Sequence, residues 1–245
     1  MTISTEERQI IEKVLKHSAE GTTHMMPDVM LNPVTNYNDP EQLKQEINIL
    51  FRNFPIMVAH SSEMAEPGDF FTHDGTGVPI LLTRGKAGEV NAFLNVCRHR
   101  GARLKNDSCG NSGTLACPYH SWTYELNGKL RGIPQPQGFA GIDKSELGLV
   151  KLPVHEKFGM IWVVPSVQEE PVDFDAWLKP MEEQLTGLNI DSHVVYKKWS
   201  LPRNMNWRLA LEGFQESYHF CSAHRSTACS GYLDNQSVYL DSYPH

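Results

Sequence analysis

The sequence predicts an α+β fold in which helical segments flank a β-rich middle that forms an antiparallel β domain. The middle contains short runs of β-branched and large apolar residues, at 56–58, 78–83, 90–95 and 158–164. Turn signals built on glycine separate these runs, at 74–75, 86–88 and 127–128. Short strands at this spacing favour antiparallel pairing.

Two helices are predicted before the β region. The sequence 4–7, Ser-Thr-Glu-Glu, is a capping-box pattern ahead of an amphipathic helix that Gly21 ends. Asp39 and Pro40 are start signals for a second helix, which runs through about Phe51 with its apolar residues on one stripe. Both are expected to pack against the rest of the protein through that apolar side.

Helical periodicity returns after Pro165. It predicts a surface helix over 174–185 and, after a strand near 194–199, a third helical run over 204–219. The proline-containing stretch 165–173 indicates a domain boundary. The predicted organisation is a helical segment 1–38, a β domain 39–165 and a further domain 166–245.

Composition limits the class of protein. The chain has 245 residues, 40% of them hydrophobic and 21% charged, which is ordinary for a soluble globular protein. Its formal net charge of −7 argues against nucleic acid or an anionic membrane as the main partner. The sequence has neither a membrane-spanning apolar stretch nor a signal-peptide pattern, so a cytoplasmic location is expected. In that compartment Cys109, Cys221 and Cys229 are expected to remain thiols.

Two short clips carry the strongest chemical signal. They are Cys97-x-His99 and Cys117-x-x-His120, with seventeen residues between them. Two thiolates and two imidazoles suit a [2Fe–2S] cluster in which His replaces Cys on one iron. A structural zinc site uses the same ligand types, but its clips favour two residues between paired ligands, and only one separates Cys97 from His99. Both clips follow strand-like runs, so the ligands are expected at the tips of two loops.

These clips resemble those of the Rieske domain. The flanking sequences match as well, with Cys-Arg-His-Arg-Gly at 97–101 and Cys-Pro-Tyr-His-Ser-Trp at 117–122. The resemblance implies that two cysteines hold one iron and two histidines hold the other. The implied cluster ligands are Cys97, Cys117, His99 and His120.

Three positions indicate which branch of Rieske proteins the chain resembles. Respiratory-chain members carry an extra Cys in each clip, where this sequence has Ala102 and Tyr119. They also carry a Ser that donates to a cluster sulfide, where this sequence has Trp122. Fewer hydrogen bonds to the sulfurs imply a lower reduction potential, which suits the oxygenase or ferredoxin branch.

A second constellation, at 204–224, resembles the catalytic-domain motif of Rieske non-haem iron oxygenase α subunits. The matching residues are Asn206-Trp207-Arg208, the run from Glu212 to His219, and His224. The resemblance implies that His219 and His224 bind a mononuclear Fe(II), and that Glu216 links this iron to a Rieske histidine of the neighbouring subunit. It also implies that 166–245 is the beginning of a helix-grip catalytic domain.

The spacing of this motif makes structural demands. Glu216 and His219, at i and i+3, are expected on one helix face. His224 lies five residues beyond His219, so the helix must distort or end between them. A 2-His-1-carboxylate site also needs a carboxylate, which in this family lies far downstream of the second His. That ligand is therefore not assigned, and the chain is expected to be a fragment ending inside the catalytic domain.

Two positions depart from the family pattern. The bridging residue is usually Asp, and a Glu such as Glu216 is typical of oxygenases acting on quaternary ammonium compounds like carnitine and choline. Gly213 stands where Asn is common, and glycine inside a helix costs about 1 kcal/mol relative to alanine.

The expected function is that of a terminal oxygenase component. An NAD(P)H-dependent reductase, with or without a ferredoxin, supplies electrons for O₂-dependent hydroxylation of an aromatic or similar small organic substrate. Two alternatives stay open: oxidative demethylation or monooxygenation of a quaternary ammonium compound, and a Rieske electron carrier without its own oxygenase site. The relay between subunits implies a homotrimer, with or without a β subunit.

Overall fold

The structure, a computed structural model, describes residues 5–25, 27–231, 236 and 238. The chain divides into two units: Lys44–Ser200 is one, and Met1–Leu43 together with Leu201–His245 is the other. The domain limits expected from the sequence remain a prediction. Among the described residues, no helix is both long and apolar enough to cross a membrane.

In the described residues, three helices precede the β region: α1 (Thr5–Glu20), α2 (Thr35–Asn38) and α3 (Pro40–Asn53). The two predicted helices are thereby confirmed. Asp39 caps α3 as predicted, because its Oδ1 accepts the backbone N–H groups of Glu41 at 2.9 Å and Gln42 at 3.4 Å. The capping box predicted for α1 begins at Ser4, which lies outside the described residues.

The unit Lys44–Ser200 contains eleven strands in its described residues. They are β1 (Ile56–His60), β2 (Asp69–His73), β3 (Ile80–Arg84), β4 (Val90–Leu94), β5 (Cys109–Asn111), β6 (Leu115–Ala116), β7 (Thr123–Tyr124), β8 (Leu130–Gly132), β9 (Lys151–Leu152), β10 (Val154–Lys157) and β11 (Met160–Val163). They form three sheets, ordered β5-β2-β3-β4-β9, β1-β11-β10 and β6-β7-β8. Every strand pair is antiparallel, which confirms the predicted antiparallel β domain.

Strand β3 is the centre of this domain, because all five of its residues are buried. Alternate residues face different apolar clusters: Leu81 packs with Phe93 and Leu115, whereas Ile80 and Leu82 pack with strands β1, β9 and β11. The predicted turn at 127–128 is present, and Gly128 adopts φ +85° there. A side chain at this position would meet the Phe93 ring, since an added Cβ would lie 2.3 Å from it.

The helix predicted over 174–185 is interrupted. The structure has α4 (Phe174–Leu178), a 3₁₀ turn over Lys179–Met181 and α5 (Glu182–Leu188). The break coincides with Pro180, which has no backbone N–H to continue the α-helical ladder.

The strand predicted near 194–199 is wrong. The segment pairs with no other strand among the described residues, and Tyr196 is 98% exposed. A run of β-branched and aromatic residues therefore does not make a strand here, because no neighbouring strand in the described part of the chain supplies a hydrogen-bonding edge.

The helical run predicted over 204–219 is shorter than expected. Helix α6 (Trp207–Gln215) ends at Gln215, and Glu216 is extended, with φ −128° and ψ 150°. A second helix, α7 (Phe220–Ala223), follows after a break. The start of α6 is capped by Asn206, whose Oδ1 accepts the backbone N–H of Arg208 at 2.9 Å.

Candidate metal centres

The two cysteine–histidine clips lie in equivalent loops, each following a strand. In the first loop, which follows β4, Gly101 N–H donates to the Cys97 carbonyl at 3.0 Å and Cys97 N–H donates to the Ala102 carbonyl at 2.8 Å. The second loop, which follows β6, repeats this pattern with Ser121 and Trp122 around Cys117. The expectation that the clips lie on loops held by the sheet is confirmed.

The fourth residue after each cysteine has a left-handed backbone. Gly101 has φ +71° and Ser121 has φ +57°. This conformation turns the chain so that the residues after each cysteine come back towards it. The two loops thus present their donor atoms in the same way, although only one of them uses glycine at the turn.

Both clip cysteines are buried in the apolar core beneath the loops. Cys97 and Cys117 are each 2% exposed, and both are free thiols. Burial raises the pKa of the Cys97 thiol, and the neighbouring Cys117 thiol raises it further. Neighbouring thiols in an apolar setting are costly to ionise unless a positive metal centre compensates the charge.

The two clip histidines lie next to each other. The ring centroids of His99 and His120 are 4.7 Å apart. The His99 ring stacks on Trp122 at a centroid distance of 4.8 Å and an interplanar angle of 4°, and Phe139 contacts both of these rings edge-on. This aromatic packing fixes the plane of the His99 imidazole.

The Nδ1 atom of His99 is buried and has no hydrogen-bond partner among the described residues. Burial lowers the pKa of His99, so the imidazole is held in the neutral form that binds metals. The buried, unpartnered His99 nitrogen, the neighbouring His120 ring and the two buried thiols together supply the four donors that a [2Fe–2S] cluster of Rieske type needs. The residues present therefore fit such a cluster.

Within the described part of the chain, no three His, Cys, Asp or Glu side chains surround one point as the ligands of a single ion do. This finding is compatible with a Rieske cluster, because each of its irons needs only two protein ligands.

Tyr124 is a contributor that the sequence analysis missed. Its hydroxyl lies 3.3 Å from Cys97 Sγ and accepts the backbone N–H of Arg98 at 3.1 Å. Burial raises the pKa of Tyr124, so the phenol keeps its proton and donates it to the sulfur when Cys97 is a thiolate. The available signal was the spacing in the sequence, because Tyr124 follows Trp122 by two residues, and residues i and i+2 of an extended chain lie on the same side.

The second constellation is brought together around α7. Glu216 Oε1 makes a short hydrogen bond with His219 Nδ1, and Oε2 accepts the His219 backbone N–H at 3.2 Å. The ring centroids of His219 and His224 are 5.3 Å apart, one residue before and one residue after the helix. The hydrogen bond from His219 lowers the pKa of Glu216.

One local expectation is corrected here and a second is confirmed. Glu216 and His219 do not share a helix face, because α6 ends at Gln215 and the contact is made across the break. The helix end expected between the two histidines is confirmed, because α7 ends at Ala223, directly before His224. An i, i+3 spacing brought the side chains together for a different reason, namely that Glu216 caps the turn leading into α7.

The expectation of three thiols outside the clips is wrong for two of them. Cys221 and Cys229 form a disulfide that closes the loop containing His224. Cys109 is a free and exposed thiol, as expected. The sequence separation of the two cysteines did not predict this disulfide, because it depends on the turn over 224–229 bringing the two sulfurs together.

Comparison with known protein families identifies both parts of the chain. Residues 54–153, which include both clips, match the Rieske [2Fe-2S] domain. Residues 190–242, which include Glu216, His219 and His224, match the ring hydroxylating alpha subunit (catalytic domain). The fold and the two constellations thus define a Rieske iron–sulfur protein with an oxygenase catalytic region.

Individual relatives agree with this class. The glycine betaine monooxygenase oxygenase subunit of Chromohalobacter salexigens is 33% identical over 78% of this chain and 42% of its own length. Benzene 1,2-dioxygenase subunit alpha of Pseudomonas putida is 30% identical over 80% of this chain and 44% of its own length. The quaternary ammonium Rieske monooxygenase CntA in complex with L-carnitine superposes with a TM-score of 0.74 at 29% identity, over 81% of this chain and 56% of its own.

The chain thus combines a Rieske domain with part of a ring-hydroxylating catalytic domain, and it is similar to the oxygenase α subunits that carry both. It spans about half the length of these relatives. The predicted α+β fold class, with a Rieske domain followed by part of a catalytic domain, is confirmed. The predicted cofactors, a Rieske [2Fe–2S] cluster and a mononuclear iron, are those of this pair of domains.

Proposed function

We propose that the chain is part of the terminal oxygenase component of a Rieske monooxygenase that acts on a quaternary ammonium compound. The observation that carries the proposal is the pair of sites: buried thiols with an orphaned His99 nitrogen in one unit, and a Glu216–His219 contact beside His224 in the other. When bound, the cluster would supply electrons singly and the mononuclear iron would use them with O₂ to oxidise the substrate.

The cluster ligands in this proposal are Cys97, Cys117, His99 and His120. Burial of the thiols excludes water from the sulfurs, and the Tyr124 hydroxyl donates to one of them. The Trp122 ring holds the His99 imidazole in place by stacking on it. These groups orient the ligands and limit their movement between oxidation states.

His219 and His224 are the proposed iron ligands, and Glu216 is the proposed electron-transfer bridge. Because Nδ1 of His219 makes the hydrogen bond with Glu216, Nε2 is left for the metal. Glu216 thereby fixes the tautomer and orientation of the imidazole. Inter-subunit electron transfer is described for a solved quaternary ammonium Rieske monooxygenase, which supports the same route here. The third, carboxylate ligand remains unassigned.

Two observations support the quaternary ammonium class. Glu216 stands where the family more often has Asp, and glycine betaine and carnitine monooxygenase subunits are among the relatives. Aromatic-ring hydroxylation is the second candidate, favoured by the benzene dioxygenase relative. Oxygen consumption in the presence of glycine betaine, carnitine or benzene separates the two classes, since only substrate that is oxidised increases the rate.

An electron carrier is the rival from a different class. Metal analysis separates it from an oxygenase, because three irons per chain are expected with a mononuclear site and two without it. The partners of the proposed oxygenase are an NAD(P)H-dependent reductase, with or without a ferredoxin, and two further copies in a trimer. A cytoplasmic location stays a prediction.

The decisive variant is Glu216→Ala. The absorbance and iron content of the cluster should match the wild type, while oxidation of the reduced cluster by O₂ in the presence of substrate slows by about 10–100-fold. Glu212→Ala is the matched control, because Glu212 lies one helical turn earlier and instead accepts a hydrogen bond from Tyr37 at 2.7 Å. Equal rates in the two variants would contradict the bridging role.

A further inference from the structure

A groove of about 590 Å³ lies beside the first clip in the unit Lys44–Ser200. Its walls are the turn 127–130, residues 144–146 and the segment 148–151 that leads into β9, with Arg98 at one end. All of these elements belong to the same unit. The groove takes no part in the ligand sets described above.

The charge of this groove is opposite to that of the whole chain. Four exposed cations line it and one anion does; the cations are Arg98, Lys129, Lys144 and Lys151, and the anion is Glu146. Within the described residues none of the four cations forms an ion pair. The chain carries a formal net charge of −7, so this cluster is a local reversal of sign.

The groove is connected directly to the clip. Arg98 stands between Cys97 and His99 in the sequence, and its backbone N–H donates to the Tyr124 hydroxyl that contacts Cys97 Sγ. The floor residues Leu130 and Leu149 belong to the same apolar cluster as the two clip cysteines. A protein seated in the groove is therefore separated from the thiols only by this clip and its core.

The floor of the groove is fixed, whereas its charges are on adaptable side chains. Leu149 N–H donates to the Gly128 carbonyl at 2.8 Å, and a Cβ added to Gly148 would lie 3.2 Å from the same oxygen. Long lysine side chains on a fixed backbone suit weak, electrostatically steered contacts, which exchange quickly. Electron-transfer complexes are typically of this small and transient kind.

We propose that this groove is the docking site for the acidic surface of the protein that delivers electrons to the chain. The inference rests on the proposed function and names the face that the donor uses. A second copy of this chain is the rival occupant, and the oligomeric state of the double variant below tests it. An acidic donor satisfies all four at once.

The test uses the full chain with its cluster and an acidic plant-type [2Fe–2S] ferredoxin as the probe. Stopped-flow absorbance follows reduction of the chain at low and high ionic strength. In the double variant Lys129→Glu/Lys144→Glu, the second-order rate at low salt should fall by about tenfold, and its dependence on salt should largely disappear. Lys197→Glu is the matched control, because Lys197 is exposed but does not line the groove.

A binding measurement gives a second readout that does not depend on electron transfer. The affinity of the oxidised ferredoxin, measured by calorimetry, should fall about tenfold in the double variant and change little in the control. Equal rates and affinities in the two variants overturn the docking site, as does a wild-type chain that the ferredoxin neither binds nor reduces. A double variant that differs from the wild type only in oligomeric state assigns the groove to a second copy and also overturns it.

Reduction by dithionite separates this failure from failure of the proposed function. A chain that dithionite reduces, but whose reduction by ferredoxin is insensitive to the groove charges, retains its function and loses only the docking site. A wild-type chain without any reducible cluster overturns the proposed function, and the docking site with it.

Discussion

Removing the Tyr124 hydroxyl should lower the reduction potential of the cluster. The hydroxyl is fully buried and has one proton, which points to Cys97 Sγ because its oxygen already accepts the Arg98 N–H. An added electron increases the negative charge on the sulfurs, so a donated hydrogen bond stabilises the reduced state more than the oxidised state. Tyr124→Phe removes this preference while keeping the ring in the core.

The size of the effect follows from the geometry. The contact is single and, at 3.3 Å, ordinary for an O–H donor to sulfur. If its strength differs by about 1 kcal/mol between the two oxidation states, the potential falls by about 40 mV, since a one-electron couple shifts 59 mV per 1.4 kcal/mol. The Arg98 N–H also loses its acceptor, so the free energy of unfolding should fall by about 1–2 kcal/mol.

A spectroelectrochemical titration of the visible absorbance measures the potential, and urea unfolding measures the stability. Tyr119→Phe is the matched control, because Tyr119 is 61% exposed and packs on His120 through its ring. The control should keep the wild-type potential. If the Tyr124→Phe variant retains its cluster and its reduction potential shifts no further than that of the control, the hydroxyl does not act on the sulfur and the argument is refuted.

Three further predictions follow from other contacts. Glu156→Gln should lower the free energy of unfolding at pH 7 by about 1–3 kcal/mol, because Arg84, 6% exposed, loses a two-point ion pair at 2.6 and 2.8 Å. Arg84 lowers the pKa of Glu156, so the ion pair adds to the free energy of unfolding of the wild type above about pH 4.3. This contribution is lost as the pH falls through the lower folded pKa, and the urea unfolding curves of the two proteins should converge in acid. Asp39→Ala should cost about 1 kcal/mol in the same assay through loss of the α3 cap; an unchanged midpoint would count against it. Thiol titration of the unfolded, iron-free chain should find three thiols before reduction and five after it, and five in both states would exclude the Cys221–Cys229 bridge.

The sequence was sufficient for features that depend on local chemistry. The clips place two cysteines and two histidines at fixed spacing, the β region shows strand-length runs and turn signals, and Asp39 caps its helix through its own side chain. In each case neighbouring residues along the chain decide the outcome. The motif around His219 was also visible, although the predicted helix face was not what holds Glu216 against it.

Features that depend on distant residues needed the structure. The prediction of a strand near 194–199 was wrong because β-forming residues alone cannot supply a pairing partner, and the Cys221–Cys229 disulfide depends on how a turn closes. The groove lysines come from three separate segments, so no pattern in the sequence connects them.

What the sequence by itself determined is the chemistry: two cysteines and two histidines in paired clips, and a Glu-x-x-His motif with a second histidine. The tertiary structure alone decided how those groups are held, through Trp122 stacked on His99 and the Tyr124 hydroxyl at Cys97. The physical reason is that ligand identity is a property of single residues. Burial, stacking and hydrogen bonding instead exist only when the β6-β7-β8 sheet and the β4 loop pack on one core.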